Sequence, residues 1–191
     1  MVEETIMENA LSIVRRRLRD VVKAGDVVID ATAGNGHDTR VLSELVGPEG
    51  IVYGFDVQPK ALENARGAVT DCLASIRFIH AGHECMKEHI DPEHIGRVAA
   101  VVFNLGYLPG GDKTLTTACD TTIRAIESSL EVLYSGGVLT VVCYRHPEGQ
   151  LELTAVRELL QALPQSGYVC METAFMNQRG NPPVVFVVLK Q

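Results

Sequence analysis

The chain has no tryptophan, only 5% aromatic residues, no closely paired cysteines and fewer cations than anions. Its five cysteines, Cys72, Cys85, Cys119, Cys143 and Cys170, are odd in number and widely spaced, with no CxxC pair. That argues against a disulfide framework and against a thiolate zinc site. No stretch of about 18 consecutive apolar residues is present to span a bilayer. The opening MVEETIMENA lacks the basic and then apolar order of a secretory signal, so a cytoplasmic protein without a membrane partner is expected. Lys and Arg number 17 against 24 Asp and Glu, a net charge of −7, which excludes a wholly basic polyanion binder. A nucleic-acid partner needs a local basic patch.

What the chain does have is apolar residues, 46% of its 191, enough to bury a sizeable core in one domain over residues 1–191. They fall in short β-branched runs: Val27–Ile29, Ile51–Phe55, Ile76–Ile79, Val98–Phe103, Val138–Cys143, Val169–Phe175 and Val184–Leu189. Helical patterns separate most of them, over Glu4–Val22, His37–Leu45, Pro59–Leu73, Leu115–Tyr134 and Glu148–Leu163. Strands apolar on both faces that alternate with helices predict an α/β fold, a doubly wound, seven-stranded, mostly parallel sheet of Rossmann-like type. Phe175–Pro183 is too short for a crossover helix, so the last two strands are expected to form a C-terminal antiparallel hairpin.

The first strand runs into DATAGNGHDT, where Thr32, Gly34, Asn35, Gly36, His37 and Asp38 form a glycine-rich loop and helix start. Such a loop lets backbone approach a ligand and presents a helix N-terminus to it. A dinucleotide fingerprint would need a third glycine where Thr39 stands. Asp30 at the strand end would repel a diphosphate but suit an ammonium beside a sulfonium, so S-adenosyl-L-methionine fits better than NAD. Asp56 ends the second strand twenty residues after Gly36, placed to accept two ribose hydroxyls, with Gln58 beside the adenosine. Gly82 and His83 follow the third strand, where a loop would cover the adenine. Helix capping by Asn35 or Asp38 is a compatible structural alternative.

The fourth strand leaves through NLGYLPGGD, Asn104 to Asp112, at the edge where open parallel sheets bind ligands. The Asn104 side-chain oxygen and the Leu105 carbonyl can both accept hydrogen bonds from an amine, Tyr107 can stack on a planar base, and Gly106 lets the loop pack against substrate. An Asx-turn with a packed tyrosine is the alternative. Asn–x–Gly–Tyr is a near relative of the Asn–Pro–Pro–Tyr signature of enzymes that methylate exocyclic amines, with Leu105 and Gly106 in place of the prolines.

Together, DATAGNGHDT, GFDVQPKAL, AGHE, FNLGYLPGGDK and NQRGNPP resemble the YtqB-type family, long labelled rRNA methylases, over about Ala24 to Lys190. The resemblance implies a compact class I methyltransferase, a homodimer without a separate RNA-binding domain. It further implies methylation of the amine of 5-aminomethyl-(2-thio)uridine at the tRNA wobble position. On matching positions it implies cofactor contacts from Asn35, His37 or Asp38, Asp56, Gln58, Gly82 and His83.

An rRNA base or a small-molecule amine as substrate, and a non-catalytic adenosylmethionine- or nucleotide-binding protein, are the other readings. Asp112, His146 or water is the candidate proton acceptor, and Asp112 can equally cap the next helix. Arg145, Asn177 and Asn181 are candidate substrate contacts, the two asparagines equally satisfying turn geometry. The dense basic run Arg15–Arg19 is either a solvated helix face or a contact for the phosphates of an anticodon stem-loop. His80, His83 and Cys85 are not expected to bind a metal, because His80 alternates in facing and amine methylation from a sulfonium needs none.

Overall fold

The computed structural model describes residues 9–106, 117–145 and 147–191, without the side chains of 147 and 148. The expected residues Tyr107, Asp112 and His146 lie outside the described residues, as do the first residues of the helix expected from Glu4. Seven strands form one sheet in the order β3-β2-β1-β4-β5-β7-β6: β1 (Val27–Asp30), β2 (Ile51–Asp56), β3 (Ser75–His80), β4 (Val98–Leu105), β5 (Leu133–Cys143), β6 (Tyr168–Thr173) and β7 (Val184–Lys190). The first five run parallel, and β7 pairs antiparallel with both β5 and β6, as the short last connection requires. Because Cys143 pairs with Val184, the β6–β7 turn returns to the carboxyl edge of the parallel strands.

Two apolar layers sandwich the sheet. Strand residues alternate between them, Val28 and Val102 on one face, Ile29 and Phe103 on the other. The first face is covered by α1 (Ala10–Val21) and α2 (His37–Val46), with α3 (Pro59–Ala68) beside α2. The second is covered by α4 (Met86–His89), α5 (Cys119–Val132) and α6 (Pro147–Ala162). The central strand β4 is buried along its length except at Asn104, so its one half-exposed side chain is the amide. A capping box starts α1: Asn9 Oδ1 accepts from the Ser12 amide and Ser12 Oγ from the Asn9 amide, each at 2.9 Å.

Three boundaries differ from expectation. Helix α3 stops at Ala68 rather than Leu73, because the Arg40 guanidinium of α2 donates twice to the Ala68 carbonyl, at 2.9 and 2.6 Å, and pairs with Asp71. Helix α5 ends at Val132 and β5 begins at once with Leu133, since Gly136 adopts φ 105° and bulges the strand into register beside β4. Lys190 Nζ donates to the Leu130 and Leu133 carbonyls at 2.7 Å, satisfying groups that a longer helix would have paired itself. Between β3 and β4, where no helix was expected, stand 3-10 turns at His83–Cys85 and Pro92–His94 and the single turn α4.

Leu18 of α1 is 1% exposed and lies in the layer with Val14, Leu42 and Val102. Leu18→Ala is expected to lower unfolding free energy by about 3 kcal/mol, read by urea denaturation, through lost transfer energy and a residual cavity.

Candidate functional site

The carboxyl ends of β1, β2 and β4 carry Asp30, Asp56 and Asn104, and the loop after β1 ties them together. Asp30 is completely buried; its Oδ2 accepts from the Thr39 hydroxyl at 2.6 Å and its Oδ1 from the Thr32 amide at 3.2 Å. Thr32 Oγ1 in turn accepts from the Asn104 amide at 2.8 Å. The carboxylate expected to face an ammonium is thus also the foundation of the loop, and Thr39, in the place of a dinucleotide motif's third glycine, is the residue that locks it. Burial and the charges of Asp38 and Asp56 push the Asp30 carboxyl up to about 7, against the two hydrogen bonds.

Asp56 holds the other side of the loop. Its Oδ2 accepts from the Gly34 amide and its Oδ1 from the Gln58 amide, both at 2.9 Å. A carboxylate offers about four lone-pair sites, so each oxygen keeps capacity for a hydroxyl. Asn35 accepts from Asn64 of α3 at 2.9 Å. Gly36 adopts φ 81°, and a Cβ there would stand 2.8 Å from Ala65 Cα, so its lack of a side chain makes room for α3. Gly36 is also the N-cap of α2, with no side-chain cap, and Asp38 lies inside the first turn. His37 is exposed at the first helical position.

The Asp38 side chain turns to β4 instead: Oδ2 accepts from Asn104 Nδ2. Burial pushes its carboxyl up, opposed by Arg15, by the Asn104 hydrogen bond and by His37. Asn104 Oδ1 is buried and has no hydrogen-bond partner among the described residues. Leu105 beside it is buried. Gly106 follows with φ 146°; its amide donates to Thr117 Oγ1 at 3.1 Å and its carbonyl accepts from the Thr117 amide at 3.2 Å.

His83 is buried, edge-on to Phe103 with ring centroids 5.4 Å apart, and hydrogen-bonds the Ala31 backbone. Burial pushes its pKa down, against Glu84, that bond and Asp56. Gly82 opens the turn carrying it, its carbonyl accepting from Cys85 at 3.0 Å. Asp91, Glu93 and His94 are the ligand-type side chains that converge among the described residues. Asp91 accepts from Arg77 at 2.7 Å and the His94 ring meets the Tyr53 hydroxyl at 2.9 Å.

The structure brings Asp30, Thr32, Gly34, Asp38, Asp56, Gln58, His83 and Asn104 to one edge. Asn177 and Asn181 reach that edge on the β6–β7 turn, exposed, Asn181 with φ 54°. Arg145 stands two residues beyond the carboxyl end of β5, and its charge acts on Glu172 of β6, which is held mainly by Arg157. Of the basic run, Arg15 stands near Asp38 with a buried, unpartnered Nε, while Arg17 pairs with Asp20 at 3.7 Å.

Two contributors were not read from the sequence, and a third, Arg15, was read only as part of the basic run. Burial, with the nearby Asp38 carboxylate, raises the phenol pKa of Tyr144; its position directly after β5 was the available signal. Buried Glu152 of α6 accepts from Thr117 at 2.8 Å and from Thr122, anchoring the far end of the loop that leaves β4. Its place between Leu151 and Leu153 in the helix was its signal. Arg15 gave none, since direction on a helix depends on what the helix packs against.

An open sheet of this order, with a glycine loop after β1 and an acid ending β2, defines a class I, S-adenosylmethionine-dependent methyltransferase. Residues 52–189 match the family model described as "Putative rRNA methylase", and the chain belongs to that family. A crystal structure of a "putative rRNA-methylase" from Clostridium thermocellum superposes with TM-score 0.91 at 39% identity, covering 97% of this chain and 99% of that one. A "putative methyltransferase" from Streptococcus mutans in complex with SAH gives TM-score 0.87 at 31% identity, covering 97% and 100%. The chloroplastic tRNA (mnm(5)s(2)U34)-methyltransferase of Arabidopsis thaliana is 37% identical over 182 residues, 90% of this chain. The chain spans 66% of that relative's length. Among the described residues no helix is long and apolar enough to cross a membrane.

Asp30 supplies a pH test. Its folded pKa lies above the ordinary value of 3.8, so its contribution to stability is full below that value and is lost as pH rises through about 7. The urea midpoint of the wild-type protein is expected to fall between pH 5 and pH 8 relative to Asp30→Asn, which lacks the titration.

Proposed function

We propose that the protein is an N-methyltransferase acting on the aminomethyl group of 5-aminomethyl-(2-thio)uridine at tRNA wobble position 34, giving 5-methylaminomethyl-(2-thio)uridine. The observation that carries the reading is the buried, unpartnered Asn104 Oδ1 at the carboxyl end of the central strand. A buried acceptor without a donor costs about 1–3 kcal/mol, a cost that an incoming N–H group removes. The name of the Arabidopsis relative, whose chain this one matches over most of its own length, supports the same substrate.

The residues present fit the cofactor. Asp56 would hold the ribose and Gln58 the adenosine, Gly82 and His83 would bound the adenine side, and the Thr32–Asp38 loop would receive the methionine portion over buried Asp30. S-adenosylmethionine supplies, when bound, a methyl group on positive sulfur that requires no further activation. The protein's task is then alignment and exclusion of water. An alkylammonium has no free lone pair, so the amine must enter neutral. Asn104 Oδ1 and the Leu105 carbonyl each accept one of its N–H groups, which leaves the nitrogen lone pair directed away from both. The sign of the surroundings favours a cationic ligand, with Asp30, Asp38 and Asp56 near one another.

Purified protein incubated with S-adenosylmethionine and tRNA carrying 5-aminomethyluridine is expected to yield 5-methylaminomethyluridine by nucleoside mass spectrometry. Unchanged tRNA with label in ribosomal RNA overturns the assignment in favour of an rRNA base. Asn104→Ala is expected to lower kcat by about a hundredfold while calorimetric SAH affinity stays within about threefold, as for a group acting on the nucleophile. The reading includes a cytoplasmic homodimer, whose mass sedimentation measures.

A further inference from the structure

The geometry points to Asp38 as the residue that sets which way the Asn104 amide faces, and hence as a positioning residue for the amine. This inference rests on the reading of Asn104 as the amine's acceptor. An ionised carboxylate can only accept hydrogen bonds, whereas a side-chain amide has a donating NH2 and an accepting oxygen at opposite corners. Asp38 Oδ2 takes Asn104 Nδ2, so Oδ1 is necessarily the free corner, and it is the corner found buried without a partner. The backbone amide of Asn104 is pinned separately by Thr32 Oγ1 at 2.8 Å, so Cα is held and the side-chain rotation is left to Asp38. Were the amide reversed, its NH2 would face the amine nitrogen and compete for the lone pair that transfer requires.

Asp38 is free for this role because the start of α2 does not use it as a cap. The charged and titratable groups acting at this point come from four elements: Arg15 of α1, His37 of α2, Asp30 of β1 and Tyr144 after β5. Arg15 is the permanent cation among them, and its place beside Asp38 favours the ionised carboxylate that the orientation needs.

Asp38→Ala, Asp38→Asn and Asp38→Glu separate the possibilities. In the free protein, the Asn104 side-chain NH2 is expected to show slowed hydrogen exchange by nuclear magnetic resonance in wild type and Asp38→Glu, and to lose it in Asp38→Ala. With tRNA, Asp38→Ala and Asp38→Asn are expected to lose about tenfold to a hundredfold in kcat, SAH affinity holding within about threefold, and Asp38→Glu to recover most of the rate. An Asn104 NH2 unchanged in Asp38→Ala overturns the inference, as does an SAH affinity that falls as steeply as kcat, which would make Asp38 a cofactor ligand. If Asp38→Ala does not fold, the isosteric Asp38→Asn, which can accept or donate and so no longer enforces the orientation, decides by its kcat against its SAH affinity. A wild-type protein that leaves tRNA unmethylated defeats the function proposed above, while the amide measurement still decides the role of Asp38.

Discussion

A carboxylate without contact to water, Asp30 at the end of β1, is the point from which the rest of the site is built. It holds Thr39 at the first turn of α2 and the backbone of Thr32, and through Thr32 the chain is tied to β4 at Asn104. Burying an acid is costly unless its oxygens are satisfied. Two hydrogen bonds serve here, and the raised pKa is the part of the cost that remains. A parallel sheet makes such a joint possible because the ends of neighbouring strands lie side by side, one strand spacing apart.

The same joint explains the electrostatic character of the edge. Three aspartates, Asp30, Asp38 and Asp56, are gathered around one loop, with Arg15 the cation acting on Asp38. Two unit charges about 6 Å apart at an effective dielectric of about 20 interact by roughly 3 kcal/mol. That is enough to disfavour a diphosphate and to favour a ligand bearing an ammonium and a sulfonium. Hydrogen bonds then divide the labour: Asp56 shapes the loop by taking the Gly34 and Gln58 amides, and Asp38 takes the amide of the central strand.

Much of this was legible in the residues. The β-branched runs located seven strands, the short last connection implied the antiparallel hairpin, and both are present. Asp30, Asp56 and Asn104 were recognised by position at strand ends, a signal that depends only on the parallel order of the strands. Boundaries were less legible where a distant side chain decides them. Arg40 ends α3, and Lys190 takes the last carbonyls of α5, from 28 and 60 residues away. At Gly36 the missing side chain also makes room for α3, which the sequence did not show, because a sequence shows that a side chain is missing but not what fills its place.

The sequence by itself determined the layering, the strand succession, the glycine loop and the acidic character of the strand ends, since these follow from hydrophobic period and local backbone preference. Only the tertiary structure decided how those groups are used: that Asp30 is buried, that Asp38 faces Asn104 rather than capping its helix, and that Arg15 turns inward from a basic run. The physical reason is that a hydrogen bond between side chains 66 residues apart, such as Asp38 to Asn104, is chosen by packing and by the loss of water, and neither is a property of any local stretch of chain.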